Sequence, residues 1–243
     1  MNAPLPKRIW QSFTRTRVGR SIFRVGLPES NLERSQVMVS SFLLHVQPAK
    51  VNRHSLRASY SLGLGLISLY LFLILTVTGV LLMFYYVPST EKAYDIMKDL
   101  QYVVSAGLVI RNMHRWAAHL MVLFVLLHMC RVFYTGAYKR PREFNWVIGV
   151  GLFLLTLGLS FTGYLLPWDQ RAYWATKVGT DIAGSVPFIG HFLLVSLRGG
   201  DQISAATLGR FYDLHILVLP AIIIVLLAGH FWMIRRHGIS GRL

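Results

Sequence analysis

A single cysteine, Cys130, stands in 243 residues, so no intrachain disulfide can form and no CxxCH site for covalent haem attachment exists. In mid-helix, Cys130 reads as a small packed apolar residue. Charge is scarce too: 14% of residues are charged, and the 10 acidic ones face 25 basic ones for a net charge of +15. Soluble domains carry about 25% charged residues, which argues against an ordinary globular enzyme. A cleaved leader is not expected either. The N-terminus is basic, but the first long apolar run begins near residue 62, too far in for a signal peptide.

What the chain has instead is apolar surface: 54% of its residues are hydrophobic and the mean hydropathy is +0.49. Four runs have membrane-spanning length, 62–86, 113–134, 146–166 and 214–234. The expected fold is an all-α membrane protein, a four-helix transmembrane bundle over residues 58–243, preceded by a basic tail over 1–57. Within the tail, Asn31–Val46 mixes Leu32, Val37, Phe42 and Leu43 with Glu33, Arg34 and Gln36, which predicts an amphipathic surface helix. Basic residues crowd the tail, the loop after the second span (Lys139, Arg140, Arg142) and the C-terminal end (Arg235, Arg236, Arg242). The other two loops balance their charges. By the positive-inside rule both termini are cytoplasmic. Anionic lipid accounts for the basic excess, so no nucleic-acid partner is expected.

The second span carries His114 and His128, fourteen residues apart, with Arg111 three residues before the first and Arg131 three after the second. Fourteen steps return the second histidine to within roughly 40° of the first, about 21 Å along the axis. The fourth span carries His215 and His230, fifteen apart, a rotation of roughly 60° over about 22 Å. Alternating topology makes these two spans parallel, so His114 and His215 share the outer level while His128 and His230 share the inner one. His119 lies on another face and is given no ligand role. Buried imidazoles are costly without partners, and two facing pairs at two depths suit two haem b groups, each held non-covalently by two histidines. Zinc would need further ligands that neither level offers. With both axial positions filled, iron carries electrons rather than oxygen.

Gly65 and Gly79 in the first span, and Gly149 and Gly163 in the third, repeat the fourteen-residue interval. Each glycine alone reads as close helix packing; the matched pairs favour something flat against the backbone at two depths. Past Pro167, the run Trp168-Asp169-Gln170-Arg171-Ala172-Tyr173-Trp174 admits two readings, an interfacial aromatic belt or one wall of a cavity for a lipid-soluble ligand.

Taken together, the RxxH…HxxR helix, the glycine pairs, the run from Gly163 to Trp174, and the Arg210-Phe211-Tyr212-Asp213-Leu214-His215 helix ending near Gly241 resemble cytochrome b of the quinol-oxidising Rieske/cytochrome b complexes, over about residues 40–243. The fifteen-residue interval, Pro167-Trp168-Asp169-Gln170 and the end after four spans resemble the short, split b6-type form. The resemblance implies a diheme subunit of a quinol:electron-acceptor oxidoreductase running a Q-cycle in a bacterial inner membrane. Arg111 and Arg131 would meet haem propionates. Quinol would be oxidised on the outer side near Tyr164, Pro167, Trp168, Asp169 and Trp174. On the inner side Arg235 stands where quinone would bind, a position that membrane anchoring explains as well. Moving one charge against 100 mV stores about 2.3 kcal/mol, which is why two depths are useful. Expected partners are a C-terminal cytochrome b fragment, a Rieske iron–sulfur protein and a c-type cytochrome, in a two-fold dimer. Three departures bear on this. Residues 60–63 lack the cysteine that holds an extra covalent haem in the b6 type. The PEWY-type motif of later helices is absent, so the chain alone is not a competent quinol oxidase. The tail is longer than usual, and its first thirty residues have no assigned role. Two other readings stay open: a diheme membrane anchor of a dehydrogenase or hydrogenase, and a haem-free scaffold or transporter.

Overall fold

The computed structural model describes residue 12, residues 30–40 and residues 61–240; residues 41–46 of the expected surface helix and Arg242 lie outside the described residues. Helix α1, Asn31–Ser40, opens on a reciprocal cap in which the Glu33 amide donates to Ser30 Oγ and the Ser30 amide donates to Glu33 Oε2. The first span is α2, Leu64–Met83. It stops ahead of Pro88, whose ring excludes helical geometry from the residue before it. A surface helix, α3 (Ala93–Tyr102), then leads directly into α4 (Gly107–Tyr134). A Cβ at Gly107 would lie 2.3 Å from the Leu100 carbonyl oxygen, so only glycine permits this close turn. The helix that carries the second apolar run therefore begins at Gly107, ahead of Met113, because backbone hydrogen bonding carries polar Arg111 and Asn112 as readily as apolar residues.

The third span, α5 (Glu143–Leu165), ends two residues before Pro167. Asp169 then caps α6 (Gln170–Gly184) by accepting from the Ala172 amide at 2.8 Å. Helix α7 (Gly190–Arg198) ends on Gly199, whose φ of 82° is left-handed and favours glycine. The helix that carries the fourth apolar run, 214–234, extends from Ala205 to His237. It comprises α8 (Ala205–Asp213), a π-helical turn over Leu214–Val218, and α9 (Leu219–His237).

No strand occurs among the described residues. Helix α2 packs along α4, α9 along α5, and α4 meets α5. The tightest packing is at the end of the bundle that bears Pro167, called the outer end after the expected topology, where Tyr86, Ala93, Leu165, Ala172, Leu208 and Phe211 are buried together. Elsewhere the spans are lean: only 11% to 17% of each apolar window is buried, leaving side chains such as Val77, Leu123, Leu154 and Val225 facing outward. That is the surface distribution of a membrane-embedded bundle.

The outer connection is held by Arg198, a buried cation that is 4% exposed. Its guanidinium donates to Thr180 Oγ1, to the carbonyls of Asp201 and Lys177, and to Asp181 Oδ1 at 2.6 Å. Thr207 donates to the Arg198 carbonyl at 2.7 Å, tying α8 to the same hub. The buried guanidinium is hydrogen-bonded on several sides and paired with a half-exposed carboxylate, which is what makes burying its charge tolerable.

Candidate functional site

Helix α4 and the fourth span bring the four histidines together as two pairs. The rings of His114 and His215 have centroids 6.2 Å apart, and those of His128 and His230 are 6.5 Å apart. Two imidazoles bonded to one metal from opposite sides would have centroids about 6.3 Å apart, from metal–nitrogen bonds of about 2.0 Å and about 1.15 Å from each nitrogen to its ring centre. Among the described residues no three of His, Cys, Asp or Glu converge, so what converges is two separate imidazole pairs. The residues present therefore fit a metal that takes its remaining ligands from a macrocycle.

The tautomers at the outer pair follow from its neighbours. Thr78 Oγ1 donates to the Ile74 carbonyl at 2.7 Å, so toward His114 Nδ1, 2.9 Å away, it acts as acceptor. His215 Nδ1 lies 3.1 Å from the Leu159 carbonyl, which can only accept, and 3.2 Å from Thr162 Oγ1. Thr162 in turn donates to the Gly158 carbonyl at 2.9 Å. Both rings thus carry their proton on Nδ1 and present an unprotonated Nε2, the form a metal needs. Sequence reasoning missed Thr78 and Thr162. Their signal was present: each immediately precedes a glycine of the outer level, Gly79 or Gly163.

Three of the four paired glycines touch a histidine ring. A Cβ would stand 3.2 Å from His128 Cε1 at Gly65, 3.3 Å from His114 Cε1 at Gly79 and 2.6 Å from His215 Cε1 at Gly163. At Gly149 a Cβ would meet nothing within 4 Å; instead this residue lines a largely apolar cavity together with Gly65, Val125, His128, Ile223 and His230. The free space between these residues is about 90 Å³, below the roughly 300–1,000 Å³ of preformed small-molecule sites.

The other candidate residues are dispersed. Arg111 Nη1 donates to Gln101 Oε1 at 3.3 Å, and Arg131 is half-buried one helical turn past His128. At the outer end Tyr164 and Trp174 face outward, 52% and 55% exposed. Trp168, with a left-handed φ of 52°, turns inward against the buried cluster and Tyr173. Pro167 is half-buried beside it, and the Asp169 carboxylate is engaged as the cap of α6. Arg235 lies at the opposite end of the bundle, in an open cleft with Trp232 and Arg236. The Arg236 guanidinium stands 5.5 Å over the Trp232 ring. Cys130 is half-buried in α4.

Outside the spans, the Lys177 ammonium at 2.8 Å and then the Arg198 guanidinium hold the Asp181 carboxyl below the usual carboxylate range.

Comparison with known proteins places the chain in a family. The family described as cytochrome b/b6/petB matches residues 49–238. A cytochrome b6 of Heliobacterium modesticaldum is 50% identical over 190 residues, 78% of this chain and 88% of that one. The menaquinol:cytochrome c reductase cytochrome b subunit of Geobacillus thermodenitrificans is 44% identical over 200 residues, covering 82% of this chain and 89% of that one. Among solved structures, a hyperthermophilic respiratory Complex III is similar with a TM-score of 0.73 and 28% identity; the match covers 85% of this chain and 53% of that chain, so the present chain spans about half of it. An integral membrane protein with four apolar helices and paired histidines, matched over most of its length, this chain belongs to the cytochrome b/b6 family.

Proposed function

We propose that this chain is the diheme cytochrome b subunit of a quinol:electron-acceptor oxidoreductase, with His114 and His215 holding one haem b and His128 and His230 the other. The observation that supports it most is the near-equal spacing of the two imidazole pairs, 6.2 Å and 6.5 Å. Bound haem supplies reversible one-electron chemistry. The chain's residues do the rest. The four histidines would hold the two groups, one imidazole pair at each level, and leave no ligand position for other molecules. Thr78 and Thr162 keep the Nδ1 protons in place at the outer level. Gly65, Gly79, Gly149 and Gly163 leave the backbone bare where a flat group would lie, and Arg111 and Arg131 offer cations to its carboxylates.

In this reading the quinol side is the end bearing Tyr164, Pro167, Trp168, Asp169 and Trp174, and it faces outward; the Arg235 end and both termini face the cytoplasm of a bacterial cell, with residues 1–57 as a basic tail on that side. Asp169 contributes there by setting the direction of α6 through its cap rather than as a free carboxylate. The subunit works with a C-terminal cytochrome b fragment, a Rieske iron–sulfur protein and a c-type cytochrome in a two-fold dimer, and carries no covalent haem c.

A pyridine haemochrome assay of the purified complex tests this: two haems b per chain, all extractable by acidified acetone, are expected. Replacing His128 or His230 with leucine should remove one haem and the higher-potential wave of a redox titration, leaving the outer haem in place. A sample with no reduced α-band, or loss of both haems together, contradicts the reading. Co-purification of a Rieske iron–sulfur signal separates it from a dehydrogenase anchor.

A further inference from the structure

The two helices that pair their histidines do not have equal intervals. His114 and His128 are fourteen residues apart, His215 and His230 fifteen. In two regular parallel α-helices that mismatch leaves a relative rotation of about 100° at one level. Yet the rings meet at nearly the same separation at both levels, 6.2 Å and 6.5 Å.

The difference is taken up at one place. The π-helical turn over Leu214–Val218 contains His215, and across it the Leu219 amide donates to the Leu214 carbonyl, five residues back. Just before it the Leu214 amide still bonds to Arg210, four residues back. An i→i+5 bond encloses one more residue than an α turn, so the helix beyond resumes shifted by up to one residue, about 100°. The fifteen-residue interval then falls from roughly +60° toward roughly −40°, the displacement that fourteen regular residues produce in α4. Pro220 stands two residues beyond the turn. It has no amide proton to return to the Ile216 carbonyl, and in a regular helix its ring would press on that carbonyl. A widened turn relieves both.

The geometry points to a register-correcting role for this segment: the π turn at Leu214–Val218, with Pro220 behind it, absorbs one surplus residue so that His215 and His230 face the same side of the helix as the His114/His128 seam. Pro220 is thus a positioning residue. This rests on the two-haem reading above, but concerns the chain's own helix.

Deletion analysis in the whole complex tests it. Removing the outward-facing Leu217 from the turn shortens the interval to fourteen and, with Pro220→Ala to permit a straight helix, should leave two haems b per chain and unchanged low-spin ferric signals. Removing the outward-facing Leu123 from α4, which has no wide turn to absorb the loss, should drop the content to one. A ΔLeu217/Pro220→Ala protein of native helix content holding fewer than two haems, or a ΔLeu123 protein holding two, overturns the inference. Should the former not assemble, spin-label accessibility scanned along residues 205–237 of the otherwise unaltered chain decides. A lipid-facing periodicity that jumps by about 100° across 214–218 supports the inference, and one that continues in phase overturns it. An unaltered complex lacking two haems would instead defeat the functional reading, and the scan would still report on the turn.

Discussion

Thr78 and Thr162 decide which nitrogen of each outer histidine carries the proton, and they do so because their own hydroxyl protons are already committed to carbonyls one turn back. Thr78→Val keeps shape but removes the acceptor for His114 Nδ1. Outer-level partners of this kind change metal affinity by about 10–100-fold, so haem loss from the outer site should quicken by about that factor, measured by transfer to apomyoglobin, with the inner site unmoved. The glycines give a graded test. Gly163→Ala puts a methyl group 2.6 Å from the His215 ring, an overpacking that costs about 1–3 kcal/mol, and should lower outer-haem content. Gly149→Ala meets no protein atom within 4 Å, so thermal stability of the haem-free chain should hold while inner-haem occupancy falls. The histidines and glycines were legible as numbers, because repeated intervals survive in one dimension. The threonines left only their adjacency to Gly79 and Gly163, easily passed over because a threonine in an apolar helix ordinarily just bonds its own preceding turn.

At the scale of elements, the outer connection behaves as one unit because Arg198 touches α6, the loop before α8 and, through Thr207, α8 itself. Asp181 is its charged partner and has a lowered pKa, caused first by the Lys177 hydrogen bond and then by Arg198. A depressed carboxyl pKa stabilises the folded form fully above the unfolded value of about 3.9 and loses that contribution as pH falls through the lowered value. Amide exchange in α6 should therefore accelerate below about pH 4. Asp181→Asn should show faster exchange at neutral pH and little further change on acidification. These elements were the least legible. Hydropathy announced four spans, but α3, α6 and α7 are short amphipathic helices whose existence depends on the Arg198 hub, on Asp169 as a cap and on the Gly107 turn. The π turn left a trace, the fifteenth residue, that could be resolved only once both helices were seen side by side.

For the whole molecule, the parallel course of the second and fourth spans was readable because four successive spans must alternate in direction, and the two histidine pairs meet as that requires. The helix starts were less readable, since α4 and α8 begin at Gly107 and Ala205 with polar turns that hydropathy does not register. One bond joins the two halves of the bundle at the outer end: the Tyr86 hydroxyl donates to the Leu166 carbonyl at 2.6 Å, beside a stacked contact of Tyr86 with Tyr212 at 5.3 Å. Tyr86→Phe should cost about 1 kcal/mol, a typical net value for one hydrogen bond, read as a lower unfolding midpoint in detergent. Its partners lie eighty residues apart in the chain, so the bond can close only once the third span exists: it belongs to the assembly of the two helical hairpins against each other and not to the making of either one.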